Sequence, residues 1–406
     1  MAQEGEIIVG LDIGTTKIVT ILGEVKPDGN IEVIGIGNYP TRVLSRGTVV
    51  DIAAAVKGIR EAVDEAEHMT GARISTVFSG IAGPHISSFN SHGVVAVKGK
   101  EITQEDMDEV VDQAKSVATQ SERNVLHTLV QEYFVDGEKG IKVPLGMSGV
   151  RLEANVHVVT AARTAATNIE RCSERANLAL QKLVLSPLAS AMSVLTDDER
   201  QLGAALIDIG GGTADIIVYY RGSVVHTQIL PIGGELITHD IAVGMRTPMW
   251  AAEKIKHKHG AAMSGLIENN EDIEVPKIGS GEPRLMSRRV LCDIIEARVE
   301  EIFIAIEEEI VRSGYKEKLG AGVVITGGSA NLDGLSELAE QIMKMPVRCG
   351  HPTGVYGLSD LTNNPRYSTA VGMLLYGAKY RPANASGGRS FTEWLGQAFK
   401  KIFREV

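Results

Sequence analysis

Aspartates followed by glycine turns are the residues of this chain whose type and spacing could perform chemistry. In the stretch 203–215, GAALIDIGGGTAD, an apolar strand carries Asp208 and is followed by Gly210, Gly211, Gly212 and Thr213. Glycine lets a backbone turn tightly and approach a ligand, so successive N–H groups can bind phosphate oxygens. A carboxylate just before the turn can hold hydrated Mg²⁺ against those phosphates. A plain hairpin turn would explain this stretch if it stood alone.

A second copy of the pattern favours phosphate binding. Near the N-terminus, IIVGLDIGTTK places Asp12 before another turn, which contains the candidate phosphate-binding residues Gly14, Thr15, Thr16 and Lys17. Two further strands are predicted after each turn, at 18–23 and 31–37 and at 216–220 and 224–230. A third turn after an apolar strand contains Gly327, Gly328 and Ser329. The duplication predicts two similar halves that face one nucleotide across a cleft, although no G-x-x-x-x-G-K-[ST] loop is present.

Composition limits the class of protein. A chain of 406 residues can form two or more domains with buried cores. Its net charge of −10 argues against nucleic-acid binding, which needs a basic face. No apolar run approaches the roughly 20 residues of a membrane-spanning helix, and MAQEGEIIVG leads directly into a strand, so we expect a cytosolic protein without a signal peptide. Three scattered cysteines without metal-ligand spacing predict a reducing compartment: Cys172, Cys292 and Cys349.

The turns DIGTTK, DIGGGTAD and ITGGSANLDG occur in the order of two phosphate motifs and an adenosine motif, so the chain resembles the actin/Hsp70/sugar-kinase superfamily. The resemblance implies an α/β, actin-like ATPase fold, with two duplicated halves around a nucleotide cleft, and ATP and Mg²⁺ as cofactors. Asp12 and Asp208 would then hold Mg²⁺ through water, with Asp208 as the candidate catalytic residue. It also places the turn at Gly233 and Gly234 beside the ribose and phosphates.

The helical pair Glu253 and Lys256 has two interpretations. At i, i+3 the two residues share one helical face, which is typical of a solvated ion pair. In the superfamily, an E-x-x-K pair at this place reaches the ribose and adenine. Another position departs from hydrolytic relatives, which carry Glu before a proline, where this chain has Ser186 before Pro187. A serine hydroxyl is a weak base near neutral pH, so we expect at most slow ATP hydrolysis.

An insertion of about seventy residues, foreign to the actin core, follows the strand that ends near residue 80. Strands are predicted at 86–97, 125–135, from 141 and at 149–153, with a helix at 103–119, before the core resumes with a strand near 156. No cluster of His, Cys or carboxylates marks the insertion as catalytic, so an interaction module is favoured. Actin carries its subdomain earlier, where this chain has only a dozen residues. The relocated insertion, SRGTVVD, the short linker and the C-terminal helix resemble the FtsA family of bacterial division proteins.

The resemblance assigns a partner to the long helix predicted at 287–312. This helix carries the cations Arg288, Arg289 and Arg298, and charge runs of this kind usually form solvated faces. In the family, the same region is the outer subdomain that binds the C-terminal peptide of the division GTPase FtsZ.

The C-terminal segment FTEWLGQAFKKIFREV predicts an amphipathic helix after the Gly/Pro/Ser-rich linker 381–390. Ser390 and Glu393 form a capping box. Docking on its own domain is the ordinary role of such a helix, but the linker and terminal position favour a membrane surface. The candidate membrane residues are Phe391, Trp394, Leu395, Phe399, Ile402 and Phe403.

The resemblance to this family implies an actin-like division protein that polymerises and tethers FtsZ filaments to the inner face of the cytoplasmic membrane at the septum. The insertion would recruit later division proteins. An actin-like type IV pilus assembly protein and a small-molecule kinase of the superfamily are the alternatives. The predicted boundaries are 1–82 and 156–200 (first-half core), 83–155 (inserted subdomain), 201–248 and 319–362 (second-half core), 249–318 (outer subdomain), 363–380 (closing helix), 381–390 (linker) and 391–406 (amphipathic helix).

Overall fold

The computed structural model describes residues 6–116, 122–267, 271–279, 282–358 and 362–380. The linker and amphipathic helix expected from the sequence, with their capping box and six membrane residues, lie outside the described residues. Among the residues that are described, no helix is both long and apolar enough to cross a membrane. Cys172, Cys292 and Cys349 are all free thiols, and the first two are buried.

The first half is built on a six-stranded sheet. In spatial order its strands are β11 (Ala179–Leu185), β6 (Thr76–Ile81), β1 (Glu6–Ile13), β2 (Lys17–Val25), β3 (Ile31–Pro40) and β19 (Tyr356–Gly357). Strands β1 to β3 form an antiparallel meander, and β6 pairs parallel to β1. Helix α1 (Ile52–Thr70) covers β3, with Asp51 as its N-cap and Gly71 in the left-handed region as its stop.

The second half repeats this arrangement. Its five strands, in spatial order, are β14 (Ser223–Leu230), β13 (Ala214–Tyr220), β12 (Ala204–Ile209), β17 (Val323–Thr326) and β18 (Val347–Cys349). Strands β12 to β14 are again an antiparallel meander, and β17 pairs parallel to β12 as β6 does to β1. The predicted duplication is therefore confirmed.

Two helices, α4 (Ser186–Val194) and α10 (Ser368–Tyr380), cross between the halves. They approach closely at Gly372, where an added Cβ would lie 1.8 Å from the carbonyl oxygen of Ala189. One apolar cluster contains side chains from α4, α10 and both sheets, so the halves share a core. The helices α3 (Arg163–Arg175), α5 (Asp197–Leu202) and α9 (Leu335–Met343) complete the two halves.

The insertion forms a separate four-stranded sheet covered by α2 (Gln104–Ser116). Its spatial order is β7 (Ile86–Ala96), β10 (Arg151–Ala162), β8 (Arg123–Val135) and β9 (Glu138–Ile141). The prediction of two strands, at 149–153 and from 156, is wrong, because this part of the chain forms the single strand β10. Buried Leu152, Ala154, Val156 and Val158 alternate without interruption, so the expected boundary at 155/156 falls inside a strand. The core strand after the insertion is β11 instead.

The insertion also contacts the second half, across the outer edge of β14. Ser88 Oγ donates to the carbonyl oxygen of Thr227 (2.8 Å), and Gln131 Nε2 donates to that of Val224 (3.0 Å). The ring of His157 lies 3.0 Å from Thr227 Oγ1. We refer to these contacts as the β14 seam. The insertion is thus covalently part of the first half and hydrogen-bonded to the second.

The outer subdomain packs helices on a short hairpin. Its elements are α7 (Met249–His259), β15 (Asp272–Val275), β16 (Arg284–Ser287) and α8 (Arg288–Arg312), and α6 (Gly234–Gly244) at the end of the second-half core packs on α7 and α8. The inner face of α8 carries Leu291, Ile295, Val299, Ile302 and Ile306, at the spacing of one helical stripe. The first half also has a small hairpin of β4 (Leu44–Ser45) and β5 (Thr48–Val49) before α1.

Candidate functional site

The two acidic glycine turns close in the same way. In the first half the amide of Gly14 donates to the carbonyl oxygen of Lys17 (2.8 Å), and in the second half the amide of Gly210 donates to that of Thr213 (2.9 Å). Each turn follows the aspartate near the end of the first strand of its meander, Asp12 on β1 and Asp208 on β12. Two copies of one turn therefore present their remaining backbone groups from both sides of the cleft.

Glycine lets the two turns approach each other closely. A Cβ at Gly211 would lie 2.5 Å from Thr16 Cγ2, and one at Gly212 would lie 2.7 Å from Thr15 Oγ1. The third turn joins them at Gly327, where φ is +90° and a Cβ would lie 2.3 Å from Asp208 Oδ1. The three turns of the sequence analysis thus come together at one place.

The fourth turn supports the second from behind. At the start of α6, the amide of Gly234 donates a hydrogen bond to the carbonyl oxygen of Gly210 (2.9 Å), and the amide of Glu235 donates one to the carbonyl oxygen of Gly211 (2.8 Å). A Cβ at Gly233 would lie 2.6 Å from the Gly211 oxygen. Gly233 therefore serves the close packing of two loops.

Two connected cavities lie between the halves. The smaller, of about 120 Å³, is lined by Gly80 and Ser186 and by the predicted residues Asp12, Gly14, Thr15, Thr16, Lys17, Asp208, Gly210, Gly211, Thr213, Gly327 and Gly328. The larger, of about 850 Å³, opens from Thr16, Lys17 and Gly328 towards Gly234, Glu253, Lys256 and Ser329. The larger cavity is of the size that accommodates a nucleotide-sized ligand. The predicted nucleotide-binding residues thus line one or both of the two cavities, except Gly212 and Gly233, which belong to the turns between them.

The smaller cavity is lined by three carboxylates, one ammonium group and Arg366. Burial raises the pKa of Asp12, against the opposing charge of Lys17, and burial lowers the pKa of Lys17. The Lys17 ammonium donates to the carbonyl oxygen of Arg366 and lies 4.4 Å from the centre of the Tyr367 ring. Burial also raises the pKa of Asp208, although hydrogen bonds from Ser190 and Thr369 oppose this.

Asp215 is the third carboxylate, and it was not predicted from the sequence. It pairs with Asp208 across β12 and β13, and burial together with the Asp208 charge raises its pKa well above the ordinary value. Its Oδ1 is buried and has no hydrogen-bond partner. Within the described ranges, no three His, Cys, Asp or Glu side chains are arranged to ligate a metal directly. A hydrated cation, bound through water, fits such a donor set better than a dehydrated one.

The pair Glu253 and Lys256 lines the larger cavity and is internally bonded. The Lys256 ammonium lies 2.8 Å from Glu253 Oε2 and donates to the Gly234 carbonyl oxygen (3.1 Å). Burial raises the pKa of Glu253, but hydrogen bonds from His257 and Lys256 outweigh this and lower the pKa to about 2. The pair is therefore a partly buried bridge from α7 to the start of α6, and not a fully solvated pair.

Ser186 begins α4 and is buried beside the carboxylates. A Cβ on Gly80 would lie 3.0 Å from Ser186 Oγ and 3.7 Å from Asp12 Oδ1, so these two side chains share one wall of the smaller cavity. The position at which the superfamily resemblance implies a glutamate therefore lies on the wall of the smaller cavity with the glycine turns, and here it offers only a hydroxyl.

The three arginines of the outer subdomain do not form one cluster. Arg288 lines the larger cavity and donates from Nε to the His259 carbonyl oxygen (2.9 Å), whereas Arg289 is exposed. Arg298 lies ten residues along α8, about 15 Å away at 1.5 Å per residue. The Arg298 guanidinium forms ion pairs with Asp240 and with Glu301, and its Nη1 lies 2.5 Å from Glu301 Oε2. Of these three arginines, Arg298 is thus held by ion pairs with neighbouring carboxylates.

Sequence reasoning missed four residues at the cleft. Asp215 carried a signal, because it stands two residues after Thr213 in a strand that pairs with β12. The other three carry no local pattern that marks them: Ser190 in α4, Arg366 just before α10, and Thr369 in the first turn of α10.

Comparison with known proteins agrees with the fold and the insertion. The family model described as cell division protein FtsA matches residues 205–372, and that described as SHS2 domain inserted in FTSA matches residues 83–160. The chain is 49% identical over 375 residues to cell division protein FtsA of Pseudomonas aeruginosa, covering 92% of this chain and 90% of the relative. It is 43% identical over 409 residues to that of Escherichia coli, covering 99% and 97%.

Solved structures share the architecture at low identity. A chain of the PilM–PilN type IV pilus biogenesis complex superposes with a TM-score of 0.65 at 16% identity, covering 91% of this chain and 98% of that one. MreB5 of Spiroplasma citri bound to ADP gives a TM-score of 0.50 at 14% identity, covering all of both chains. At these identities the likeness shows the fold alone.

The duplicated sheets and the glycine turns at the cleft define an actin-like protein with a relocated insertion. The pilus relative shares this fold, but the identities of 43–49% are to division proteins. The chain belongs to the FtsA family of cell division proteins. The pilus assembly alternative is correspondingly less supported.

Proposed function

We propose that the cleft binds ATP with Mg²⁺. The observation that supports this most directly is the meeting of two identically closed glycine turns over a buried set of one ammonium and three carboxylates, one of which has an unpartnered oxygen. A phosphate chain would take the free backbone donors and the Lys17 ammonium. Burial disfavours the charged forms of the three carboxylates, and a bound cation would offset the repulsion among those charges.

The site residues take distinct roles in this proposal. Asp12 and Asp208 hold the hydrated Mg²⁺, and Asp208 is the candidate catalytic residue; the cation supplies charge neutralisation at the phosphates when bound. Glu253 and Lys256 contact the ribose and adenine. Gly233 and Gly234 lie beside the ribose and phosphates, and the third turn contacts the adenosine through Gly327, Gly328 and Ser329. The phosphates contact the first two turns: Gly14, Thr15, Thr16, Lys17, Gly210, Gly211, Gly212 and Thr213.

Calorimetric titration tests the nucleotide site. Asp208→Ala should weaken Mg²⁺·ATP binding sharply, while Asp64→Ala on the exposed face of α1 should leave it unchanged. Circular dichroism at the same temperature checks that both variants are folded. Unchanged affinity in a folded Asp208→Ala variant would remove the assignment.

We further propose that the protein polymerises with ATP and tethers FtsZ filaments to the cytoplasmic face of the inner membrane at the septum. Family membership supports this role, and the C-terminal segment supplies a candidate anchor. Its apolar stripe is Phe391, Trp394, Leu395, Phe399, Ile402 and Phe403. One such helix binds reversibly, so a filament that presents many copies gains avidity.

Liposome pelleting with ATP, with and without FtsZ, tests the tether. Trp394→Glu places a charge in the stripe and should abolish pelleting without changing ATP binding. Gln397→Glu adds the same charge outside the stripe and is the matched control. If both variants pellet like the parent, the segment is not the anchor, and docking on its own domain is the better interpretation.

The partner surface is the outer subdomain in this proposal. Arg288, Arg289 and Arg298 would meet acidic residues of the FtsZ C-terminal peptide, and the insertion would recruit later division proteins. Because Arg298 is already paired with Asp240 and Glu301, its reversal also disturbs the subdomain. Exposed Arg289→Glu is the cleaner test, and it should slow association and reduce its salt dependence. Equal association rates for parent and Arg289→Glu at low salt would place the peptide elsewhere.

A further inference from the structure

The carboxylate of Asp208 is held from behind by two hydroxyls. Ser190 Oγ donates to Asp208 Oδ2 at 2.6 Å, and Thr369 Oγ1 donates to the same oxygen at 3.0 Å. The two hydroxyl oxygens lie 2.9 Å from each other. All three side chains are buried, with exposed fractions of 8% for Asp208, 0% for Ser190 and 9% for Thr369. The contact is therefore shielded from solvent.

These three residues come from three different parts of the fold. Asp208 ends a central strand of the second half, Ser190 lies in α4, and Thr369 lies in α10, which packs on β1, β2 and β6 of the first half. Helices α4 and α10 cross nearby, at Gly372 and Ala189. A carboxylate of one half is thus fixed by the helices that connect it to the other.

Neighbouring hydroxyls at the same crossing have other partners. Ser193 Oγ donates to the carbonyl oxygens of Ser190 (3.0 Å) and Ser368 (2.7 Å), and Ser368 Oγ bonds Thr326 Oγ1 (2.6 Å). Helix packing alone therefore accounts for Ser193. Ser190 and Thr369 are different because both direct a hydrogen bond to one oxygen of a carboxylate that lines the cleft.

The arrangement determines which oxygen of Asp208 is available. In the described part of the chain, no hydrogen bond reaches Oδ1, which lies against Gly327 at the third turn. Two donors on Oδ2 oppose rotation of the carboxylate about its last bond. Groups that orient a cation-binding carboxylate in this way commonly change metal affinity about 10–100-fold when removed.

We propose that Ser190 and Thr369 are positioning residues that fix the Asp208 carboxylate with Oδ1 towards a hydrated divalent cation in the cleft. This rests on the proposed binding of Mg²⁺·ATP. Neither hydroxyl contacts the nucleotide in this scheme. Their effect reaches the ligand only through Asp208, so it depends on the presence of the cation.

The test compares nucleotide affinity with and without the cation, by calorimetry on the full-length chain. ATP is titrated once with excess Mg²⁺ and once with EDTA, for the parent, Ser190→Ala, Thr369→Val and the double variant. We expect the double variant to lose about 10–100-fold in affinity with Mg²⁺ and to match the parent in EDTA. Thr369→Ser keeps the hydroxyl and should retain the parent's Mg²⁺ preference.

Ser193→Ala is the matched control, because it removes a hydroxyl of the same helix that does not contact Asp208. A parent that binds no ATP under either condition would overturn the proposed function itself. If the parent binds and the double variant keeps the parent's affinity both with Mg²⁺ and in EDTA, the positioning role is wrong. An equal loss with Mg²⁺ and with EDTA would also overturn it, because it would indicate structural damage. If the double variant does not fold, the comparison of Thr369→Val with Thr369→Ser decides.

Discussion

Two buried histidines should make the folded state sensitive to mild acid. His127 Nε2 accepts a hydrogen bond from the Leu185 amide (3.0 Å), and the His157 ring lies between Asn90 Oδ1 (2.8 Å) and Thr227. Burial, reinforced by the charge of Lys182, lowers the pKa of His127 to about 3. Burial, reinforced by His226, lowers the pKa of His157 to about 3. Both rings are therefore neutral in the native protein.

The size and sign of the effect follow from linkage. An unfolded histidine has a pKa of about 6.5, so below that pH the unfolded state binds more protons than the folded state. The stability gained from the neutral rings is complete above pH 6.5 and is lost as the pH falls towards 3. At about 1.4 kcal/mol per pH unit, each histidine costs about 2 kcal/mol between pH 7.5 and pH 5, or about 4 kcal/mol together.

Urea unfolding at the two pH values, for the parent, His127→Gln and His157→Gln, measures this. Burial raises the pKa values of Asp12, Asp208 and Asp215, which act in the opposite direction, so each variant is compared with the parent at the same pH. The stability gap between parent and variant should shrink by about 2 kcal/mol on acidification.

Val158→Ala, a core change without a titrating group, should keep a constant gap across this pH range. A constant gap for either histidine variant would refute the assignment of that ring as neutral and buried.

Three further outcomes are expected. Gly372→Ala should destabilise the chain by about 1–3 kcal/mol in thermal unfolding, because its Cβ meets the Ala189 oxygen, whereas Gly99→Ala has no atom within 3.4 Å and should be nearly neutral. Asp51→Ala removes the N-cap of α1 and should cost about 1 kcal/mol in urea unfolding. Because Ser186 replaces a carboxylate, phosphate release from ATP should be about 10²–10⁴-fold slower than in relatives with a glutamate there, and brisk turnover without a partner would contradict this.

Features encoded by local patterns could be predicted from the sequence. The duplicated meanders and their turns are such features, because apolar strands and glycines carry their own signal. Helix α1 is another, since its cap at Asp51 and its stop at Gly71 are adjacent to the apolar stripe they bound. The predicted Gly14 and Gly210 turns came together because both follow the central strand of a sheet.

Features that depend on distant partners could not be predicted. Ser190 and Thr369 are 179 positions apart, and their shared bond to Asp208 appears only when two helices cross. Arg298 resembles a free surface cation in the sequence, but its ion pair with Asp240 joins α8 to α6. The continuity of β10 was missed because a domain boundary was expected where the chain simply passes through one strand.

The β14 seam affects how the insertion can be studied. Strand β14 is the last strand of its sheet, and side chains of the insertion occupy carbonyl groups on its open edge. Deleting residues 83–160 would therefore uncover a strand edge, which is a common template for pairing between chains. Aggregation of such a truncated protein would report the uncovered edge as much as a lost recruitment surface. Point changes on the far side of the insertion, away from Ser88 and Gln131, separate the two effects.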